Sequence, residues 1–104
     1  MNIQFFDDSI KKIVFSLEDF AIAKSLRTID LLEEFGYGLG MPHSKKIKKN
    51  LFELRVRGKQ ELRIIYCFYE NSIVLLHCFI KKSHRIPKRE LNIALKKFKN
   101  LTSL

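Results

Sequence analysis

The spacing of hydrophobic residues predicts a helical first third of the chain. Between Ser16 and Gly36, apolar residues recur at intervals of three and four, which is typical of an amphipathic helix. Ser16 with Asp19 three residues later resembles a capping box, and Gly36 is a suitable helix end. A break near residues 28–30 would give two helices instead of one. Ahead of this segment, the short apolar run at residues 3–6 is a candidate first strand.

From residue 51 the hydrophobic period changes to two, which predicts strands. The segments LFELRVR, ELRIIYCFYE and SIVLLHCFIKK form a predicted three-stranded meander with turns at residues 57–60 and 71–72. In the third strand, simple alternation puts Val74, Leu76, Cys78 and Ile80 on one face. After Pro87 a helical stripe returns, made of Leu91, Ala94, Leu95 and Phe98.

This order of elements predicts an α+β fold in a single domain over residues 1–104. We expect N-terminal helices packed on one face of a twisted antiparallel sheet of three to five strands, followed by a C-terminal helix. The hydrophobic fraction of 46% is sufficient for a packed core and argues against disorder.

The net charge of +9 is distributed unevenly. Residues 1–40 hold 4 basic and 7 acidic residues, whereas residues 41–104 hold 16 basic and 4 acidic residues. Such segregation favours a polyanionic partner, nucleic acid above all, for the second part of the chain. A solvated basic surface is the alternative.

Several function classes find no support in the sequence. No apolar run approaches the roughly 20 residues of a membrane helix, and the N-terminus lacks the layout of a signal peptide. We therefore expect a cytoplasmic protein without a membrane partner. Cys67 and Cys78 are expected to be free thiols, and two cysteines alone do not make a zinc site.

The strand face opposite the predicted helices carries the candidate chemistry. Alternation places Glu53, Arg55, Arg63, His77 and Lys81 on or near this face. Cationic side chains from adjacent strands could meet at one phosphate. Structural explanations exist for three of them: Arg55 could pair with a neighbouring glutamate, His77 could be a core histidine, and Lys81 could be solvated at a strand end.

Two further groups are candidate RNA contacts. A basic patch lies between the loop and the first predicted strand, as a short helical turn or an extended arm, and consists of Lys45, Lys46, Lys48 and Lys49. Tyr66 or Tyr69 could stack on a base, since aromatic stacking is common in single-stranded RNA recognition.

An ordered series of short motifs covers the second half of the chain. It comprises Leu39-Gly40-Met41-Pro42, Glu53-Leu54-Arg55, Arg63-Ile64-Ile65-Tyr66, Leu75-Leu76-His77, Phe79-Ile80-Lys81-Lys82, Pro87 and Ala94. In this order and spacing, the region from about residue 36 to 98 resembles the RelE/HigB superfamily of bacterial toxins, and more narrowly its phage-derived HigB-type branch.

This resemblance implies N-terminal helices on a twisted antiparallel sheet and a ribosome-dependent endoribonuclease that cuts mRNA in the A site. It further implies attack of the ribose 2′-OH on the adjacent phosphate, without metal or cofactor. The implied protein partner is a HigA-like helix-turn-helix antitoxin encoded beside the toxin.

The resemblance also points to catalytic positions. Arg55, Arg63 and Lys81 match basic strand positions of the family and would stabilise phosphate charge, with Lys82 beside them. Arginine stays protonated and cannot easily accept the 2′-OH proton. A lysine could do so only if neighbouring cations lowered its pKa. Glu53 and His84 are the remaining candidate acids or bases. Some relatives place a tyrosine after the third strand, where this chain reads SHRIP, and His84 could substitute for it. A non-catalytic binding module and an inactive subunit of a toxin–antitoxin repressor remain alternatives.

Overall fold

The computed structural model describes residues 1–103, which form three α-helices and five strands. The strands are β1 (Asn2–Phe5), β2 (Ser44–Lys46), β3 (Phe52–Val56), β4 (Glu61–Tyr69) and β5 (Ser72–Lys81). The helices are α1 (Ser9–Phe15), α2 (Asp19–Phe35) and α3 (Lys88–Thr102), with a 3₁₀ turn at Gly36–Gly38. The α+β class and the meander of β3, β4 and β5 agree with the sequence prediction.

The sheet is mixed, not purely antiparallel as predicted. Its strand order is β1-β5-β4-β3-β2. β1 runs parallel to β5, from Asn2 opposite Ser72 to Phe5 opposite Leu75, whereas the other pairs are antiparallel. No tight turn joins β1 to β5, so the turn chemistry that sets the direction of the meander does not constrain β1.

The N-terminal helices divide at a different place from the predicted one. α2 is continuous through residues 28–30, and the chain breaks instead between α1 and α2. The Ser16 hydroxyl donates to the Ile13 carbonyl, 2.6 Å away, so Ser16 ends α1 and does not cap α2. The predicted end of the second helix is correct, because Gly36 takes the positive φ of +51° there.

A β-bulge in β5 overrides simple alternation. Tyr66 lies opposite Leu75 and Ile65 lies opposite His77, which leaves Leu76 without a partner in β4. The faces therefore switch at Leu76. Val74 and Leu76 belong to one apolar cluster, and Cys78 and Ile80 pack in the other, contrary to the prediction.

The helices cover both faces of the sheet. α1 and α2 pack on the face that carries Leu54, Ile64 and Leu75. α3 packs on the opposite face through its predicted stripe, against Ile65 and Leu76. The expectation that all helices share one face is thus wrong, because the second face also has an apolar region, which needs a cover of its own.

Both cysteines are free and buried, as expected from the composition. Burial raises the pKa of the Cys67 thiol to about 11 and that of the Cys78 thiol to about 12. The thiolate is the reactive form of cysteine, so neither side chain is a candidate nucleophile.

A polar contact ties the start of α1 to α3. The Ser9 hydroxyl and backbone N–H donate to Asp7, and Lys97 Nζ lies 2.9 Å from Asp7 Oδ2. These contacts, the Ser9 hydroxyl first, lower the pKa of Asp7 from 3.8 to about 2. The folded state therefore holds the carboxylate better than the unfolded state does.

We expect this contact to stabilise the folded protein above pH 3.8, and we expect the stabilisation to disappear as the pH falls toward 2 and Asp7 is protonated. Since Asp7 is 39% exposed, screening limits the expected contribution to about 1 kcal/mol. Urea unfolding between these pH values should show a smaller loss of stability for Asp7→Asn than for the wild type. Asp8→Asn, at the exposed neighbour, is the control, and an equal change in both variants would contradict the assignment.

Candidate functional site

Two copies of the tripeptide Glu-Leu-Arg place a pair of arginines side by side in the sheet. Glu53 and Arg55 lie two residues apart in β3, as Glu61 and Arg63 do in β4, so each pair shares a face. Arg55 is directly opposite Arg63 in the antiparallel register. Like charges in this position repel each other, and nearby carboxylates must compensate for them.

Glu53 supplies that compensation. Its side chain is 2% exposed and lies between the two guanidinium groups. Arg55 Nε donates to Glu53 Oε1 at 2.9 Å, and Arg63 Nε lies 3.7 Å from Glu53 Oε2. Glu53 Oε2 and Arg63 Nε otherwise have no hydrogen-bond partner, so this buried pair depends on mutual attraction.

Arg63 is held from three sides. Its NH1 donates to the Leu62 carbonyl at 3.2 Å, and its NH2 lies 3.4 Å from Glu61 Oε1. Arg55 is more accessible, at 12% side-chain exposure, and contacts the Met41 sulfur. Hence Arg55 is the better placed of the two to meet an external anion.

Lys81 lies beside these residues at the end of β5, opposite Glu61 of β4. An open cavity of about 590 Å³ lies over the end of the sheet, and its lining is Arg55, Arg57, Glu61, Arg63, Lys81, Lys82, Ser83 and His84. Five of these eight residues are cationic and one is acidic. The structure thus brings together all five residues predicted as catalytic, at the rim or floor of one cavity.

A second cavity, of about 320 Å³, continues from the first, because Arg55, Lys81 and His84 line both. Lys45 and Lys46 line its other side, from the edge strand β2. The predicted basic patch is therefore extended at these two residues. Lys48 and Lys49 are exposed and line neither cavity.

Tyr66 does not belong to the site. Its side chain is 1% exposed, on the face covered by α1 and α2, and its hydroxyl forms a hydrogen bond with Ser44. Burial raises the pKa of this hydroxyl. The prediction that Tyr66 contacts RNA is wrong, because alternation from Arg63 puts Tyr66 on the opposite face.

Two other polar candidates are also occupied by structural contacts. His77 Nε2 lies 2.7 Å from Glu90 Oε1 of α3, which agrees with the core-histidine alternative. Glu53, a candidate acid or base, is 2% exposed and ion-paired with Arg55, and it lines the second cavity but not the first. His84, exposed in the loop after β5, is the remaining candidate for proton transfer.

Arg57 and Glu61 were not predicted as site residues. Arg57 lines the first cavity, and its NH1 lies 3.6 Å from Glu61 Oε1. The Gly58 backbone N–H, first, and the nearby arginines lower the pKa of Glu61, which keeps it ionised. The repeated Glu-Leu-Arg motif was the available signal, because it pairs each arginine with a carboxylate on the same face.

The fold and site define a small basic α+β protein in which α3 covers one part of the second sheet face and leaves the cationic part open. The chain belongs to the family of phage-derived Gp49-like proteins (DUF891), whose sequence profile matches residues 12–99. This family is related to the RelE/HigB-type toxins. No curated protein matches the chain significantly.

Two features are absent from residues 1–103. None of the helices there is both long and apolar enough to cross a membrane. In the same residues, no three His, Cys, Asp or Glu side chains are grouped so that they could hold a metal ion.

Proposed function

We propose that this protein is the toxin of a type II toxin–antitoxin system, of the HigB-like branch, and that it cleaves mRNA on the ribosome. The observation that carries the proposal is the convergence of Arg55, Lys81 and His84 on one open cavity. Membership of the Gp49-like family supports it, because that family is associated with toxin endoribonuclease activity.

The proposed chemistry is transfer of the phosphate to the adjacent ribose 2′-OH, with release of the 5′-oxygen. The phosphorane carries extra negative charge, which Arg55 and Lys81 would stabilise from neighbouring strands, with Lys82 at the rim. Arg63, which is buried beneath the first cavity, would add to the positive potential there. His84 would accept the 2′-OH proton as the new P–O bond forms, and solvent water would protonate the departing 5′-oxygen.

Lys45 and Lys46 would hold the RNA backbone beyond the scissile phosphate. They are exposed and line the second cavity, which continues from the first. Phosphate contacts of this kind supply affinity without sequence information. Codon choice would then come from the ribosomal A site. In the cytoplasm, a HigA-like helix-turn-helix antitoxin would be the regulatory partner.

Programmed ribosomes test the proposal directly. Wild-type protein should fragment end-labelled mRNA at the A site under single-turnover conditions and leave a 2′,3′-cyclic phosphate. Free mRNA should be cut far more slowly. Intact mRNA under these conditions would reject the nuclease proposal.

A non-catalytic RNA-binding module is the second candidate. The burial of Glu53 and Arg63 favours this candidate. Of the eight residues that line the larger cavity, His84 is then the one candidate for proton transfer, apart from Glu61, which is ion-paired. The same assay separates the candidates, because a binding module protects the mRNA from an added nuclease and does not shorten it.

A further inference from the structure

A third cavity of about 490 Å³ lies between α2 and the loop that precedes β2. We name it the α2 groove. Its apolar lining comes from Phe20, Ala23 and Leu31 of α2 and from Pro42. Its polar lining consists of Lys24, Arg27, Thr28, His43, Arg55 and Arg57. Of this lining, the proposed chemistry uses Arg55 alone.

The groove leaves large apolar side chains without a cover. α2 packs on the sheet through Ser25, Ile29 and Leu32. Phe20 and Leu31 lie on another side of the helix, and Phe20 is 74% exposed. An exposed aromatic side chain in an apolar concavity is typical of an interaction site.

The charges at the groove identify the kind of partner. Lys24, Arg27, Arg55 and Arg57 line it, and no acidic residue does. Within residues 1–103, Lys24 and Arg27 have no carboxylate within 4.0 Å. We propose that the α2 groove binds an acidic amphipathic helix of another protein, with apolar residues in the groove and carboxylates against these cations.

The dimensions fit such a helix. Phe20 and Leu31 are eleven residues apart in α2, which corresponds to about 16 Å along the axis. A partner helix lying beside α2 would span this length in three turns. Apolar anchors at positions i, i+3 or i+4, i+7 and i+11 would then cover the length from Phe20 to Leu31.

Two other occupants fit less well. In a symmetric dimer the groove would face itself, so that its four cations would meet four cations. RNA could use Phe20 and the cations of the lining, but it would leave the aliphatic side chains of Ala23, Leu31 and Pro42 without an apolar partner. Carboxylates and aliphatic anchors on one helix satisfy both parts of the lining.

Occupation of the groove would also affect the candidate site. Arg55 and Arg57 line both the α2 groove and the 590 Å³ cavity. A carboxylate that binds them from the groove side would compete with phosphate for the same guanidinium groups. This inhibitory consequence rests on the proposed function, whereas the binding itself does not.

The test uses a fluorescent helical peptide of about 18 residues, with leucines at i, i+3, i+4, i+7 and i+11 and glutamates flanking them. Anisotropy titration measures its Kd for the full chain. We expect Phe20→Ser and Arg27→Glu each to weaken binding at least tenfold. The matched controls are Leu26→Ser, an exposed apolar residue of α2 outside the groove, and Lys96→Glu, an exposed cation of α3; both should bind normally.

Four results would overturn the inference. Phe20→Ser and Leu26→Ser could weaken binding equally, or a peptide with lysines in place of the glutamates could bind as tightly. Alternatively, Phe20→Ser could abolish a dimer of the protein in sedimentation analysis, or it could weaken the binding of single-stranded RNA and leave the binding of the peptide unchanged.

The nuclease assay separates this inference from the proposed function. If mRNA stays intact, and Phe20→Ser but not Leu26→Ser weakens peptide binding, only the proposed function fails. If mRNA is cleaved and the peptide inhibits wild type and Phe20→Ser equally, only the groove assignment fails.

Discussion

Replacing Arg63 by alanine is expected to lower the free energy of unfolding by about 3–5 kcal/mol. The substitution leaves the buried Glu53 carboxylate with Arg55 as its single partner and empties the space beside it. Urea unfolding monitored by circular dichroism measures the effect. A loss of activity in this variant would therefore report on folding as well as on chemistry.

Arg57→Ala is the matched control for this prediction. Arg57 also pairs with Glu61, but its side chain is 54% exposed. Exposed ion pairs contribute roughly 0–1 kcal/mol, so this variant should unfold nearly as the wild type does. Equal losses for Arg63→Ala and Arg57→Ala would mean that the Glu53–Arg63 pair does not stabilise the sheet.

The second large effect is expected at Lys81, on activity and not on stability. Lys81→Ala should reduce cleavage of ribosome-bound mRNA about 100-fold, since loss of one group that stabilises transition-state charge costs about 10²–10³ in rate. The addition of Arg55→Ala should reduce the rate further. Single-turnover cleavage on programmed ribosomes measures both rates.

Stability separates this effect from unfolding. Lys81 is half-buried at the end of β5 and, within residues 1–103, has no carboxylate within 4.0 Å. The free energy of unfolding of Lys81→Ala should therefore differ from that of the wild type by less than about 0.5–1 kcal/mol. Lys88→Ala, an exposed cation at the start of α3, should keep full activity. Equal rates for Lys81→Ala and Lys88→Ala would remove Lys81 from the mechanism.

The candidate site was predictable where it depended on alternation within one strand. Arg55 in β3, Arg63 in β4 and Lys81 in β5 were expected on one face, and the register brings them to one cavity. Their environments were not predictable. Alternation assigns a face but not a depth, and Glu53 and Arg63 turn out to be buried while Lys81 stays partly open.

For Tyr66, the prediction was wrong about the face of the sheet itself. The sequence offers an aromatic residue in a basic region, and base stacking is a reasonable expectation for it. However, Tyr66 is an odd number of positions from Arg63 and lies on the opposite face, where α1 and α2 bury it. Strict use of the two-residue period would have excluded it.

By itself, the sequence determined the elements whose signals are local: the strands β3, β4 and β5, the stripe of α3, the end of α2 at Gly36 and the basic character of one sheet face. Only the tertiary structure decided the direction of β1, the bulge at Leu76, the face that α3 covers and the Glu53–Arg63 pair. These features depend on contacts between residues far apart in the chain, for which the periodicity of a single segment carries no information.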